Sequence, residues 1–452
     1  MLQLLKQGKE AEGLFCLGED MITNVKQSTI VQPAKDTPKE IVWLSNIDLL
    51  VPRLHTISIY FYKPNGSANF FDPRVIKEAL SKVLVPFYPL AGRLRNNDAG
   101  RLEIDCNGEG ALFVEAEADV ALDYFGDFTP IPEFKQQLVP LADYSKDIST
   151  IPIFVAQVTK FTCGGVSLGV GTLHTVVDGL SGLHFMKEWS DLARGQDITI
   201  PPYIDRTLLR ARDPPAPLFE HIEYQPAPSL NTKTSEAGLT VAMLKITREH
   251  MDIIKSKSEI VAQPNTKVKY SSYEMLGAHV WRCLCKARDL AVEQQTKMVI
   301  STDGRARLSP PLPRGYFGNG IFAATPIATV GEVLSGPLTG VAGIIHDALA
   351  RMEDQYLRSA LDYLELQPDI RALVRGPRTF GSPNLGIVSW GRLPIHDADF
   401  GWGRPIFMGP AVVGYEGLSF LLPSPSGDGG FSLAMALQED HMIQFKKYLY
   451  EF

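Results

Sequence analysis

The 452-residue chain predicts a mixed α/β fold in two lobes. Its length exceeds the size at which single hydrophobic cores stop growing, so two domains of roughly 200 residues are expected. Alternating apolar runs, the mark of strands, are interleaved with apolar residues at helical spacing. Between the halves, residues 212–230 (RDPPAPLFEHIEYQPAPSL) hold five prolines and little periodicity, as an extended connector would. The expected division is an N-terminal extension (1–20), a first lobe (21–211), the crossover (212–230) and a second lobe (231–452).

Residues 1–20 lack a long apolar core and a small-residue cleavage site, and Glu10, Glu12, Glu19 and Asp20 argue against a transit peptide. The first clear strand is His55 to Tyr62 (HTISIYFY), which puts Thr56, Ser58 and Tyr60 on one face. A helix follows from about Pro73 to Val85, opened by the Asp72-Pro73 start signal. RLRNNDAGRLEIDC reads as a hairpin about Asp98-Ala99-Gly100. Val166, Leu168 and Val170 alternate with Ser167, Gly169 and Gly171, a strand expected to bury one face. From Leu180 the rhythm becomes helical, through Leu183, Met186, Trp189 and Leu192, and closes at Arg194 and Gly195. Beyond the crossover, KYSSYEMLGAHVWRCLCKAR has a helical pattern, while MVISTDGRAR and NGIFAATPI look like strands.

Composition narrows the partners. Apolar residues at 45% and charged residues at 21% are ordinary for a globular protein. A net charge of -7 with no dense Lys/Arg run excludes a nucleic-acid footprint and favours a small-molecule partner. No apolar run approaches the roughly 18 residues that span a membrane. The five cysteines, Cys16, Cys106, Cys163, Cys283 and Cys285, are scattered and odd in number, which fits a reducing compartment, with the cytosol the simplest address.

The chemistry concentrates after the Val166 strand. His174 sits where that strand stops, and Asp178 follows four residues on. An imidazole, with an unperturbed pKa of about 6.5, takes a proton from a hydroxyl near neutral pH when a second group fixes its tautomer. The structural alternative is a satisfied core histidine with Asp178 capping the helix. Gly165-Val-Ser167-Leu-Gly169 matches the GxSxG elbow of serine hydrolases, but the alternation runs through Ser167 where an elbow needs the strand to end. A Ser167-dependent hydrolase is therefore the distant alternative. The glycines there suit close approach of another backbone. In STDGRAR, Arg305 is placed on a turn either to pair with a buried carboxylate or to lie solvated beside Asp303. His396, Asp397 and Asp399 are too closely spaced for a zinc site, so DADFGWG reads as a tight turn burying Phe400 and Trp402.

HTVVDG and DFGWG, a little over 200 residues apart, form a paired signature. With WLSNIDLLVPRLHT, YSSYEMLGAHVW and YLRSALDYLE, they make the chain resemble the plant BAHD acyl-CoA-dependent acyltransferases from about Met21 to its end, and among them the hydroxycinnamoyl-CoA shikimate/quinate transferases. The resemblance implies two chloramphenicol-acetyltransferase-like lobes with a central solvent channel. It implies that His174 deprotonates an acceptor hydroxyl, that Asp178 pairs with Arg305 as structural support, and that Asp399, Gly401 and Trp402 are architectural. It assigns Arg375 to an acceptor carboxylate, Trp390 to the tetrahedral intermediate as an oxyanion donor, and Thr56, Ser58 and Tyr60 to the acceptor site. Related enzymes carry a threonine where this chain has Val388, and a second histidine where it has Thr175. No metal or prosthetic group is expected, since alcoholysis of a thioester needs positioning, a base and an oxyanion donor. CoA enters as cosubstrate, with Ser271, Ser272 and Lys269 the expected CoA contacts. The expected substrates are p-coumaroyl- or caffeoyl-CoA and shikimate, with quinate or another hydroxy acid as the alternative acceptor, handled by a cytosolic monomer.

Overall fold

A computed structural model describes residues 21–230, 238–259 and 269–452. The expected extension at residues 1–20 lies outside the described residues. Among these, a six-stranded sheet runs in the spatial order Thr23–Val31, Ala111–Ala118, Phe154–Lys160, Val166–Leu173, His55–Tyr62 and Phe407–Pro410. A seven-stranded sheet runs Ile321–Ala324, Gln295–Asp303, Leu385–Ser389, Leu418–Pro423, Phe431–Gln438 and Leu239–Ile246, with Ile327–Thr329 pairing Gln295–Asp303 off that path. Parallel and antiparallel neighbours occur in both sheets, and helices cover them, so the fold is mixed α/β.

The Val166–Leu173 strand lies between Phe154–Lys160 and His55–Tyr62, which corrects the expectation of one buried face: Ser167, Gly169 and Gly171 are buried as well as Val166, Leu168 and Val170. Its small side chains are there because the other face is also roofed. A Cβ on Gly169 would stand 2.0 Å from the Leu138 carbonyl oxygen, so only glycine fits.

The helix after it spans Gly179–Ala193, with Asp178 as N-cap, and packs against Pro73–Val83. The Trp189 indole donates to the Ile76 carbonyl at 3.0 Å, satisfying a fully buried N–H. Pro73–Val83 ends two residues before the expected Val85. NGIFAATPI is two short strands, broken at Thr325-Pro326, where the proline nitrogen carries no hydrogen for a ladder.

The halves exchange elements. Phe407–Pro410 belongs by sequence to the second half, yet it pairs antiparallel with His55–Tyr62 and closes the first sheet. Phe407 stacks on Phe128 at 4.7 Å and lies 6.3 Å from Phe61, within a ring cluster that also holds Phe125, Phe134 and Phe161. Removing such a buried ring costs about 3–5 kcal/mol. Ile47 and Leu50 make the reverse crossing and join the core beneath the second sheet.

Candidate active site

The Val166 strand delivers His174 to the junction of the two halves. Its backbone N–H donates to the Leu54 carbonyl at 3.0 Å, tying the turn to the start of the neighbouring strand. The ring is half-buried. Its Nδ1 faces the Val177 carbonyl oxygen at 3.3 Å. A carbonyl only accepts, so Nδ1 carries the hydrogen and Nε2 keeps a free lone pair. Burial pushes this imidazole below its ordinary pKa; the turn's carbonyls and the Asp178 charge oppose the shift, and the Arg375 charge adds to it. The ring is thus neutral at pH 7.

Asp178 is not the group that fixes the His174 tautomer, as its place four residues on suggests in the sequence, since the Val177 carbonyl takes Nδ1; it caps the helix and pairs with Arg305. One carboxylate oxygen accepts from the Ser181 N–H at 3.0 Å, capping the helix. The same carboxylate takes a two-pronged guanidinium from Arg305, at 2.9 and 3.0 Å, and accepts from the Gly320 N–H at 2.9 Å. Burial pushes this carboxyl up, but Arg305 and the N–H donors outweigh it and hold it below its usual range. Arg305 also donates to Ser181 Oγ and the Gly318 carbonyl and lies 5.4 Å over the Tyr316 ring. The alternative of a merely solvated turn is set aside: Arg305 pairs with both Asp303 and Asp178.

The other expected site residues lie on several elements. Thr56, Ser58 and Tyr60 share a face of their strand and grade from exposed through half-buried to buried. Arg375 is half-buried and has no carboxylate within ion-pair distance among the described residues; burial lowers its pKa, and the Glu223 carboxylate opposes that from longer range. Val388 is half-buried near the end of Leu385–Ser389. One residue past that strand, the Trp390 indole packs on Phe420 at 5.3 Å, and its Nε1 points at Gly179, 4.0 Å from where a Cβ would stand. Gly179 is exposed, whereas Trp390 itself is buried.

DFGWG is a closed loop. Asp399 accepts from the Gly401 and Gly403 N–H groups at 2.8 and 2.9 Å, and both glycines have φ near +100°, which other residues rarely adopt. Phe400 and Trp402 are buried, and Trp402 packs 5.1 Å from Phe71. Ser271 caps the helix Ser272–Ala287 and exchanges hydrogen bonds with Glu274, while Ser272 is half-buried and Lys269 exposed. Ser167 is fully buried, seven residues along the strand from His174, roughly 23 Å at strand rise, and its hydroxyl has no hydrogen-bond partner among the described residues. A cavity of about 440 Å³ is walled by His184, Lys187, Arg305 and Tyr316 from both halves, and His174 is not part of its wall.

Two buried residues not singled out in the sequence, Arg206 and Asn319, also reach the His174 turn, and both are held by buried Asp48. The Ser45-x-x-Asp48 capping pattern is readable for Asp48; for Arg206 and Asn319 the signal is a polar side chain in apolar surroundings, which periodicity does not separate from a surface position.

Two mixed lobes meeting at a histidine turn are the frame of a transferase that brings two substrates together. A model of the Transferase family matches residues 21–452. The chain belongs to that family, the BAHD acyl-CoA-dependent acyltransferases. A shikimate O-hydroxycinnamoyltransferase of Nicotiana tabacum is 60% identical over 96% of this chain and 100% of its own length. A hydroxycinnamoyl-CoA:5-hydroxyanthranilate N-hydroxycinnamoyltransferase of Avena sativa is 53% identical over 94% of this chain and 99% of its own. The crystal structure of vinorine synthase shares the fold at a TM-score of 0.73, with 23% identity, covering 94% of this chain and 96% of that one.

Proposed function

We propose that the protein transfers a p-coumaroyl or caffeoyl group from CoA to a hydroxyl of shikimate, with His174 as general base. The observation that carries this reading is the contact of His174 Nδ1 with the Val177 carbonyl at 3.3 Å, which assigns the hydrogen to Nδ1 and leaves Nε2 as the basic nitrogen of a half-buried side chain. The acceptor hydroxyl gives its proton to Nε2 as its oxygen attacks the thioester carbonyl carbon. Charge develops on the carbonyl oxygen, and the Trp390 N–H donates to it; its position beside the exposed Gly179 supports that role. Collapse of the tetrahedral intermediate breaks the C–S bond, and the sulfur leaves with the proton that His174 had taken.

Arg375 supplies the acceptor preference. A guanidinium with no carboxylate in ion-pair contact among the described residues suits an acid whose carboxylate it grips with two parallel hydrogen bonds. Thr56 and Ser58 contact the acceptor's other hydroxyls, with Tyr60 beneath them. Val388 offers no hydroxyl there, which leaves quinate as the second acceptor. Lys269, Ser271 and Ser272 lie toward CoA, with Ser271 also holding its helix. The physiological setting is phenylpropanoid and lignin-precursor synthesis in the plant cytosol, by a monomer. Among the described residues no helix is long and apolar enough to cross a membrane.

The test is turnover of p-coumaroyl-CoA by purified protein with and without acceptor. CoA release is expected only with a polyhydroxy acid present, and competition between equal shikimate and quinate gives the ratio of kcat/KM. Hydrolysis at the same rate without acceptor would overturn the reading.

A further inference from the structure

The His174 turn is held from two sides, and only one is explained by the Asp178–Arg305 pair. On the other side, Asn319 Nδ2 donates to the His174 carbonyl at 2.9 Å and to Asp48 Oδ1 at 2.9 Å, and the Asn319 backbone N–H donates to the same oxygen at 3.0 Å. Asp48 is itself immobilised. Its second oxygen accepts from the Ser45 N–H and hydroxyl, both at 2.8 Å, and Arg206 donates to Oδ1 at 3.0 Å. Arg206 reaches the turn independently, donating to the Val176 carbonyl at 2.8 Å. Asp48, Arg206 and Asn319 are each at most 1% exposed.

These contacts converge on three carbonyls of the one turn that carries the ring, those of His174, Val176 and Val177. His174 gives its carbonyl to Asn319, Val176 gives its own to Arg206, and Val177 gives its own to the ring Nδ1. Rotating the His174 peptide would turn the imidazole off the Val177 oxygen and exchange the tautomer that leaves Nε2 free. Burying a charged pair is a weak route to stability, whereas fixing one backbone geometry is a use to which the low-dielectric interior is suited. Asp48 and Arg206 come from the first half and Asn319 from the second, so the clamp forms only when the halves are docked.

We propose that Asn319, locked by Asp48 and Arg206, is a positioning residue that holds the His174 peptide so that Nδ1 stays protonated and Nε2 faces the acceptor. This rests on His174 being the base. Asn319→Ala removes the donor to the His174 carbonyl and leaves the backbone N–H to Asp48 in place.

Steady-state kinetics on Asn319→Ala should show kcat lowered about ten- to hundredfold, the scale of a misplacement near 1 Å, with the KM for p-coumaroyl-CoA unchanged. Gln157→Ala, which breaks a buried hydrogen bond within the first sheet away from the turn, serves as a stability control that keeps kcat. Should Asn319→Ala not fold, Asn319→Ser is read the same way, since a serine hydroxyl is too short to reach. A kcat within twofold of wild type, or a fall in kcat shared by Gln157→Ala at an equal loss of Tm, overturns the proposal. His174→Ala run in parallel separates the two claims. Activity retained in His174→Ala removes the base assignment, whereas an inactive His174→Ala beside a fully active Asn319→Ala removes only the clamp.

Discussion

Arg305→Ala isolates what the buried pair contributes. The substitution removes both guanidinium prongs, at 2.9 and 3.0 Å, and leaves Asp178 3% exposed with only the Ser181 and Gly320 N–H donors. Breaking a buried pair from one side costs about 3–5 kcal/mol, because the remaining charge stays desolvated without its partner. The pH dependence follows from Asp178. In the wild type its folded pKa lies below the unfolded value of about 3.9. The pair's contribution is therefore complete above that value and is lost as pH falls through the lower folded one. In the variant, burial dominates and lifts the carboxyl above its unfolded value. The deficit is then greatest at neutral pH and shrinks as acid protonates Asp178. Urea unfolding of both proteins at pH 7 and near pH 4 reads this directly, and Arg305→Lys should recover part of the loss. A deficit below about 1 kcal/mol at pH 7, or one equal at both pH values, would refute the reasoning.

Ser167→Ala should leave kcat and KM at wild-type values, because the hydroxyl is buried away from His174; abolished turnover would restore the hydrolase alternative. Arg375→Leu should lower kcat/KM for shikimate by about ten- to a hundredfold, the range of a charged hydrogen-bonded contact, with the KM for the CoA ester unmoved. An equal loss against an acceptor without a carboxylate would count against that role. Lys297, 2% exposed, donates to the Ile222 carbonyl, and burial lowers its pKa to about 8. Since this folded value is below the unfolded one of about 10.4, charged Lys297 costs up to roughly 3 kcal/mol below pH 8. Lys297→Met should therefore raise Tm at pH 7 and lose that advantage as pH climbs toward 10, and a lower Tm at pH 7 would contradict it.

What the sequence makes legible is local. The alternation of HTISIYFY, the Asp72-Pro73 start and the change of rhythm at Leu180 each specify an element, because side-chain spacing along one segment reports its own buried face. The error at Val166–Leu173 has the same origin: small residues on a strand face look exposed, while here a second layer comes close enough to require them small. Non-local pairing is not written in any period. Phe407–Pro410 is four residues long, and its partner strand lies more than 300 positions earlier. Asp48 and Asn319 are 271 positions apart. The Asp178–Arg305 pair was expected through resemblance alone, since the spacing of STDGRAR left a solvated turn open.

The central claim is a neutral imidazole at 174 taking a proton from the acceptor. The most direct measurement is kcat/KM for shikimate against pH, in wild type and in His174→Gln. The wild type should lose activity in acid with an apparent pKa below about 6.5, as burial and the Arg375 charge demand. His174→Gln should fall by about 10²–10⁴, the share of a general base, and lose that acid limb. A variant within tenfold of wild type, or one that keeps the same limb, would contradict the account.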